Sequence, residues 1–189
     1  MRIEKLQQNY NIKVEYVNFP LHPDTPMEGV ALSKLFGPAD LGRIQASRMQ
    51  LKALADAEGL PMSDRTMTYN SRLAQELGCW ATEKGKGPEF HKAAFRAYLV
   101  DGRNIADTGV LADLAKSVGL DPVEARKVVE QRLYKDQVDR QWAECQAAGV
   151  NAVPTFEAGG QQVVGAQPYE TLAHLVELAG AKKLSSSAP

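Results

Sequence analysis

The stretch Gly149-Val150-Asn151-Ala152-Val153-Pro154-Thr155-Phe156 places an X-Pro bond where a helical pattern gives way to a strand pattern. Residues 156–164 after it are typical of two short strands, with glycines at the turn, where positive φ is readily adopted. The Val153-Pro154 bond is either trans, the usual form, or cis, which is uncommon in folded proteins. Before the stretch, apolar residues recur three to four positions apart, as on one face of a helix: Val138, Trp142 and Cys145.

Toward the amino terminus, a strand is predicted between a short helix and a proline-rich loop. Residues Arg2 to Asn9 have a helical pattern that ends at a turn signal around Tyr10. Ile12 to Phe19 is rich in β-branched and aromatic residues and alternates at its start, which predicts a strand. Three prolines then end this strand, because the residue before each one is kept out of the helical region: Pro20, Pro23 and Pro26.

Nearly everything from Val30 to Leu133 has a helical pattern interrupted by glycine and proline. Signals for helix starts and ends occur at Asn70-Ser71, Pro88, Asp101-Gly102, Gly119 and Asp121-Pro122. The order of one strand, then helices, then two strands indicates an α+β or inserted-domain α/β protein. A plain helical bundle with a trailing hairpin is the alternative.

The carboxyl-terminal part predicts two further helices around the hairpin. One runs from about Asp136 to Ala148 and leads into the proline loop, and the other begins at Pro168 and ends at Gly180. Residues 181–189 are mostly Lys, Ser and Ala, which predicts a disordered tail.

The charge balance excludes several classes of partner. The 189-residue chain has 22 basic and 23 acidic residues, so it has no field that would attract nucleic acid or an anionic membrane. Its apolar runs are too short to span a bilayer, and no charged segment followed by an apolar one opens the chain as in a signal peptide. We therefore expect a cytoplasmic protein with no nucleic-acid or membrane partner.

Three segments carry a resemblance to a known family. The stretch 149–156, followed by Val163-Val164-Gly165-Ala166-Gln167-Pro168, is similar to the cis-proline segment of the DsbA-like thioredoxin family, particularly its FrnE-like branch. Phe19 to Gly29 resembles the segment after that family's second strand, and Phe90 to Tyr98 resembles a helix of its inserted helical domain. The resemblance covers residues 2–178 and extends to the related 2-hydroxychromene-2-carboxylate isomerases and kappa-class glutathione transferases.

The resemblance implies an α/β thioredoxin-like sheet with a large inserted all-helical domain. Residues 1–29 and 134–180 would form the thioredoxin-like part, and residues 30–133 would form the insertion. It also implies that Val153 and Pro154 face the substrate, since the residue before the cis proline presents backbone groups to an extended peptide or to glutathione. The partners so implied are protein thiols and disulfides or a glutathione-like thiol.

The Cys-x-x-Cys motif of the family does not occur in this sequence. Family members that exchange disulfides carry it at the start of the first helix, directly after the first strand. The opening residues Met1-Arg2-Ile3-Glu4 resemble the part of that helix beyond the motif, so the missing strand and motif amount to about 20 residues. We interpret this as a start codon set too far downstream, a truncated piece, or a protein that has lost its redox centre.

The thiols and imidazoles of the chain form no recognisable site. Cys79 and Cys145 make neither a Cys-x-x-Cys nor a zinc pattern, and three histidines add no ligand spacing, so neither a metal nor another cofactor is expected. Cys145 shares a helical face with Trp142, which predicts a buried, inert thiol. Cys79 lies nearly opposite Leu77 and is predicted to be more exposed. Neither cysteine is predicted to be a nucleophile, so no catalytic residue is assigned.

Two kinds of function therefore stay open. The first is a FrnE-like thiol-disulfide oxidoreductase whose motif lies upstream of Met1, where one cysteine attacks the substrate disulfide and a second resolves the mixed disulfide. The second is a redox-inactive peptide-binding or chaperone-like module. A glutathione-dependent isomerase or transferase is a third reading within the enzyme class.

If the chain begins at Met1, the strand predicted at residues 12–19 lacks its neighbour. Its backbone donors and acceptors would then lack ladder partners. We expect this gap to be filled by a homodimer or by a non-native strand.

Overall fold

The computed structural model describes residues 2–35 and 41–184. The described helices are α1 Arg2–Asn9, α2 Leu32–Leu35, α3 Leu41–Ala57, α4 Arg72–Glu83, α5 Gly87–Leu99, α6 Thr108–Ser117, α7 Pro122–Glu130, α8 Lys135–Ala147 and α9 Tyr169–Leu178. The described strands are β1 Val30–Ala31, β2 Met67–Thr68, β3 Thr155–Ala158 and β4 Gln161–Val164. The chain divides into two compact units, Met1–Leu21 with Gln141–Pro189, and His22–Arg140. These divisions lie eight and seven residues from the predicted domain boundaries at 29/30 and 133/134, and the domain assignment stays a prediction.

Two helix starts in the unit His22–Arg140 are set by local caps. Asp107 accepts a hydrogen bond at Oδ1 from the N–H of Val110 at 2.8 Å and so caps α6. Asp121 does the same for α7 by accepting from the N–H of Val123 at 2.8 Å. Because these bonds join residues close in sequence, the starts of both helices could be predicted from the residue types alone.

Asn70 both starts α4 and holds the proline-rich loop. Its Oδ1 accepts from the N–H of Arg72 at 2.8 Å, whereas Ser71 makes no side-chain cap. Its Nδ2 donates to the carbonyl oxygens of Pro23 at 3.1 Å and Thr25 at 2.7 Å. The predicted capping residue thus also anchors the loop that follows residue 19.

Helices α4 to α7 pack around one apolar core. Leu77 is 0% exposed and Trp80 2% exposed on α4, and Phe90 of α5 is 1% exposed. The ring of Phe90 lies 3.9 Å from where a Cβ would stand on Gly78, so α4 and α5 approach closely at this glycine. The buried members of this core are Leu73, Ala74, Leu77, Trp80, Ala81, Phe90, Ala97, Ile105, Leu111, Leu114, Ala115, Ala125, Val128 and Val129.

A buried carboxylate, Glu76, joins α4 to the segment between α7 and α8. Glu76 is 0% exposed. It accepts hydrogen bonds from Arg72 Nε at 2.6 Å and from both Nε and a terminal nitrogen of Arg132 at 2.8 and 2.6 Å. Burial alone would raise the pKa of Glu76, but the hydrogen bonds from Arg132 and Arg72 outweigh it and hold the pKa below its ordinary value.

Residues 30–133 were predicted to be helical throughout, and this is wrong at two places. Val30 pairs with Thr68 and Ala31 with Met67 in a short antiparallel ladder. The pairing brings together residues far apart in sequence, and each strand has only two residues. Neither strand is long enough to show an alternating pattern.

In the other unit, α1 and α9 pack with the β3–β4 hairpin. The hairpin register pairs Thr155 with Val164 and Ala158 with Gln161, and the turn between them is Gly159-Gly160, with φ of 57° and 77°. Both glycines adopt left-handed backbone, as the two-residue turn requires. The buried core consists of Leu6, Tyr10, Leu172, Ala173 and Val176, with Ile3, Ile12, Phe156, Ala158, Val163, Tyr169 and Ala181 packed against it.

The strand predicted from Ile12 to Phe19 is not formed. Residues 11–20 belong to no helix or strand, although Ile12 packs against the core as its apolar character predicts. A strand needs a neighbour with which to exchange backbone hydrogen bonds, and within residues 2–35 and 41–184 no strand pairs with this segment.

The predicted disordered tail is ordered over its first four residues. Lys183 forms a β-bridge with Tyr10, and the N–H of Leu184 donates to the carbonyl of Asn9 at 2.8 Å. Lys183 Nζ also lies 2.9 Å from the carboxylate of Glu177. Composition pointed to disorder because it cannot reveal such long-range pairing. Residues 185–189 of the predicted tail lie outside the described residues.

Candidate functional site

The Val153-Pro154 loop begins where α8 ends in a glycine. Gly149 has φ of 69°, and its N–H donates to the carbonyl of Gln146 at 3.1 Å. The N–H of Val150 donates to the carbonyl of Cys145 at 2.9 Å. A left-handed glycine with such bonds is a common way to end a helix, so the helix-to-loop transition follows from Gly149.

Hydrogen bonds fix the far end of the loop to the hairpin. Thr155 Oγ1 donates to the carbonyl of Ala152 at 2.7 Å, and the N–H of Gly165 donates to the carbonyl of Pro154 at 2.7 Å. The Val153-Pro154 peptide bond is cis. The loop is therefore held on both sides by bonds that do not involve the side chain of Val153.

Both residues predicted to face a substrate lie at the protein surface. Val153 is 43% exposed, and Pro154 is also exposed. An apolar side chain on a fixed loop can contact a partner without losing much conformational freedom. The geometry is compatible with a contact point for an extended chain, and the role of the two residues stays a prediction.

Cys145 is buried, as predicted, at 9% exposure. Its Sγ donates to the carbonyl of Asn18 at 3.6 Å. Burial, with a smaller contribution from the charge of Glu144, raises the pKa of the Cys145 thiol. Because the thiolate is the nucleophilic form, this environment disfavours reaction at neutral pH.

The prediction that Cys79 is more exposed than Cys145 is wrong. Cys79 is 6% exposed, because α4 is buried along consecutive residues from Glu76 to Ala81 and not along one face only. Its position opposite Leu77 on the helix thus does not lead to solvent. Both cysteines are free thiols rather than a disulfide.

We expect both thiols to react slowly in the folded protein. With a soluble aromatic disulfide such as DTNB at pH 7.5, native protein should release well under a tenth of the thiolate that it releases in guanidinium chloride, because reagent must reach a buried sulfur. Cys79→Ser and Cys145→Ser variants assign the residual signal. Reaction of either native thiol at the rate of free cysteine would contradict the burial described above.

A cavity of about 490 Å³ lies beside β3 in the same unit. It is lined by residues 11–15, by the strand Thr155–Ala158 and by apolar side chains of α1 and α9. We call this cavity the β3 groove. The sequence did not predict this cavity as a site. The one indication of it was that the strand predicted at residues 12–19 had no predicted neighbour. The apolar lining residues on these two helices are Ile3 and Leu6 of α1 and Leu172, Leu175 and Val176 of α9.

In the described part of the chain, no group of three His, Cys, Asp or Glu residues is placed to hold a metal ion. Of the helices among residues 2–35 and 41–184, none has both the length and the apolar character needed to cross a membrane.

Comparison with known proteins gives consistent matches. Residues 1–177 match the family model of the DSBA-like thioredoxin domain. The chain is 29% identical over 167 residues to the uncharacterized protein YwbO of Bacillus subtilis (strain 168), which covers 86% of this chain and 80% of that protein.

Solved structures agree with the family match. A probable DsbA oxidoreductase from Streptomyces coelicolor superposes with a TM-score of 0.86 at 27% identity, covering 95% of this chain and 82% of that chain. A structure from Nitrosomonas europaea, with a TM-score of 0.61 at 17% identity over 76% of this chain and 74% of that one, is similar in fold alone. The predicted thioredoxin-like α/β fold with a large helical part is confirmed.

Proposed function

Because the chain belongs to the DSBA-like thioredoxin domain family, we propose that it acts on the thiols and disulfides of other polypeptides, with Val153-Pro154 as the part that contacts them. Support comes from the loop itself, in which an exposed apolar side chain is held between hydrogen bonds at Ala152 and Gly165. The assignment to the FrnE-like branch rests on the segments Pro23 to Gly29 and Gly165 to Pro168, which favour it over the glutathione-dependent relatives.

Thiol-disulfide exchange needs a reactive dithiol, and we assign it to neither Cys79 nor Cys145. In the exchange, one thiolate sulfur of the dithiol attacks a substrate disulfide, a mixed disulfide forms, and the other substrate sulfur leaves as thiolate. The second thiolate then displaces the remaining substrate sulfur. Two electrons pass from the dithiol to the substrate, and the reverse sequence oxidises the substrate. Both thiols of this chain are buried, so they are poor candidates for either step.

A redox-inactive polypeptide-binding module is the second candidate. The observation favouring it is that both cysteines of the sequence are buried and no Cys-x-x-Cys is present. The intact mass of the protein from its natural source separates the two candidates. A mass equal to that of the 189-residue sequence favours the binding module, whereas a mass greater by about 2 kDa, for about 20 further residues, favours the oxidoreductase.

Substrate contact by the loop is tested with Val153→Asp. The probe is fluorescently labelled, reduced and carboxymethylated ribonuclease A, an extended chain without reactive thiols, so binding is measured apart from redox chemistry. We expect the dissociation constant from anisotropy to rise about tenfold or more, since a charge would replace a central apolar contact.

The matched control is Val123→Asp, because Val123 is a valine 72% exposed on α7. Its dissociation constant should stay within about twofold of the parent, as for a residue outside a binding contact. If both variants lose affinity equally, Val153 is not part of the substrate-contacting surface. The same holds if Val153→Asp is folded by circular dichroism and binds as tightly as the parent.

A further inference from the structure

A second cavity, of about 600 Å³, lies within the unit His22–Arg140. It is lined by α3, by residues 62–66 and by Leu32 and Ser33 at the start of α2. We call this cavity the α3 groove. Its volume is in the range of ligand-binding sites in proteins. Its described lining residues all lie between positions 32 and 66, so it is a different site from the Val153-Pro154 loop.

One wall of the α3 groove, residues 62–66, is fixed by hydrogen bonds to other elements. The N–H and the Oγ of Ser63 both donate to the carbonyl of Leu99, the last residue of α5, at 3.0 Å. The N–H of Leu32 donates to the carbonyl of Thr66 at 2.8 Å. Because α5 and the start of α2 hold this wall in place, a ligand would not have to order it on binding.

Two cations, Arg48 and Lys52, line the groove from α3. They are four residues apart and therefore lie on the same side of the helix. Arg48 Nη2 donates to the carbonyl of Arg65 at 2.9 Å. Because a guanidinium has five N–H donors, holding it with one bond is compatible with donation to a carboxylate.

The other charges near the groove leave its lining net positive. Lys52 is paired with Asp56 at 3.5 Å, with both side chains about half exposed, at 49% and 60%. Exposed pairs of this kind contribute little, so Lys52 can exchange this partner at little cost. Among the described lining residues, Asp64 is the acidic one, against the two cations Arg48 and Lys52.

Methionines supply most of the apolar lining of the α3 groove. Met49 is 67% exposed on α3, between the two cations in sequence. Met62 lines the groove from the fixed wall and is half-buried, and Leu32 adds a third apolar side chain. An unbranched thioether side chain adapts to apolar groups of different shapes. The groove therefore suits a ligand that presents varied apolar side chains next to a carboxylate.

We propose that the α3 groove binds a segment of polypeptide in which an acidic residue lies next to an apolar one. The carboxylate of the segment accepts hydrogen bonds from Arg48 and lies near Lys52, and the apolar side chain contacts Met49 and Met62. This rests on the proposed action on other polypeptides and adds the class of segment that is preferred. Acidic chains are then better partners than basic ones.

Occupancy of the groove is tested directly with Met49→Cys. Both native thiols are buried, so N-ethylmaleimide should react mainly with the introduced thiol in the folded protein. The probe is a short acetylated peptide that carries two glutamate-leucine pairs between glycines and serines. At ten times its dissociation constant, this peptide should slow the reaction about tenfold. The matched control is Val123→Cys on α7, whose thiol should react equally fast with and without peptide.

The preference for a carboxylate is tested with a second peptide that has glutamine in place of glutamate. By fluorescence anisotropy, the parent should bind the glutamate peptide about fivefold more tightly or better. Lys52→Glu should abolish this preference and leave the affinity for the glutamine peptide within about twofold. Lys127→Glu, at an exposed lysine of α7, should keep the preference. Equal binding of the two peptides by the parent would overturn the proposal.

Val153→Asp separates this proposal from the proposed function. If it weakens binding of the glutamate peptide while that peptide leaves the thiol at position 49 unprotected, the groove proposal is wrong and the contact at Val153 stands. If the thiol is protected and Val153→Asp binds like the parent, the groove proposal holds and the contact at Val153 fails. Protection that increases with protein concentration in the absence of peptide would mean that a second copy of the chain occupies the groove, and would overturn the assignment to a peptide.

Discussion

Replacing Glu76 with alanine should lower the free energy of unfolding by about 3–5 kcal/mol, which is the range for removing one partner of a buried ion pair. Glu76 is 0% exposed, and Arg72 beside it is only 12% exposed as a side chain. Without the carboxylate, Arg72 keeps a contact to Asp139 at 2.6 Å, but Arg132 loses both of its bonds to Glu76. The measurement is urea denaturation followed by circular dichroism. The matched control is Glu89→Ala, since Glu89 is 50% exposed and should contribute about 0.5 kcal/mol or less.

The same carboxylate should give a dependence of stability on pH. The pKa of Glu76 is lower in the folded protein than its ordinary value of 4.5. A carboxyl with a depressed folded pKa contributes stability above the unfolded pKa and loses it as pH falls through the folded pKa. The difference in unfolding free energy between the parent and Glu76→Gln should therefore be full near pH 7 and shrink below pH 4.5. A difference that grows on acidification would contradict the direction of this shift.

Replacing Phe90 with alanine should cost about 3–5 kcal/mol of unfolding free energy, as removal of a fully buried aromatic ring does. Phe90 is 1% exposed and packs from α5 against Gly78 of α4. The variant loses the hydrophobic free energy that burial of the ring contributes to folding. The cavity left in the core adds a further cost. The shift of the unfolding midpoint in urea measures this loss. An unchanged dependence of the unfolding free energy on urea concentration would show that both proteins unfold in the same transition.

Phe95 provides an internal comparison for Phe90. It lies on the same helix, is 57% exposed and has its ring centroid 6.4 Å from that of His91. Phe95→Ala should change the unfolding free energy by about 0.5 kcal/mol, as for an exposed site. Similar losses for the two variants would mean that α5 buries a different face from the one described.

Helices were predicted more accurately than strands because their signals are local. The helix predicted at residues 2–9 is α1, and that predicted from about Asp136 to Ala148 is α8 Lys135–Ala147. Residues 12–19 have the composition of a strand but form none, because pairing depends on a neighbour elsewhere in the chain. The β1–β2 pair was not predicted, because a strand of two residues is too short to show an alternating pattern. Cys79 is buried because several helices pack on α4. The pattern of apolar residues along α4 alone could not predict this.

The candidate site was predictable where it depends on local sequence. Gly149, Pro154 and the glycine pair at 159–160 mark the loop and the hairpin, and the structure places them there. The β3 groove was not predicted, because it is made of residues from α1, α9, β3 and 11–15 that only the fold brings together. The homodimer expected from the gap beside residues 12–19 stays a prediction.

The tip of the hairpin restricts which sequences can arise in this family. A Cβ on Gly159 would come within 3.0 Å of the Cβ of Ala179, just past the end of α9. Gly159 also has φ of 57°, so a larger residue there meets both a backbone penalty and a steric one. A bulky side chain at position 179 would likewise clash with the hairpin turn at Gly159. Positions 159 and 179 are therefore coupled, and among homologues they should vary together, with a small residue kept at one whenever the other grows.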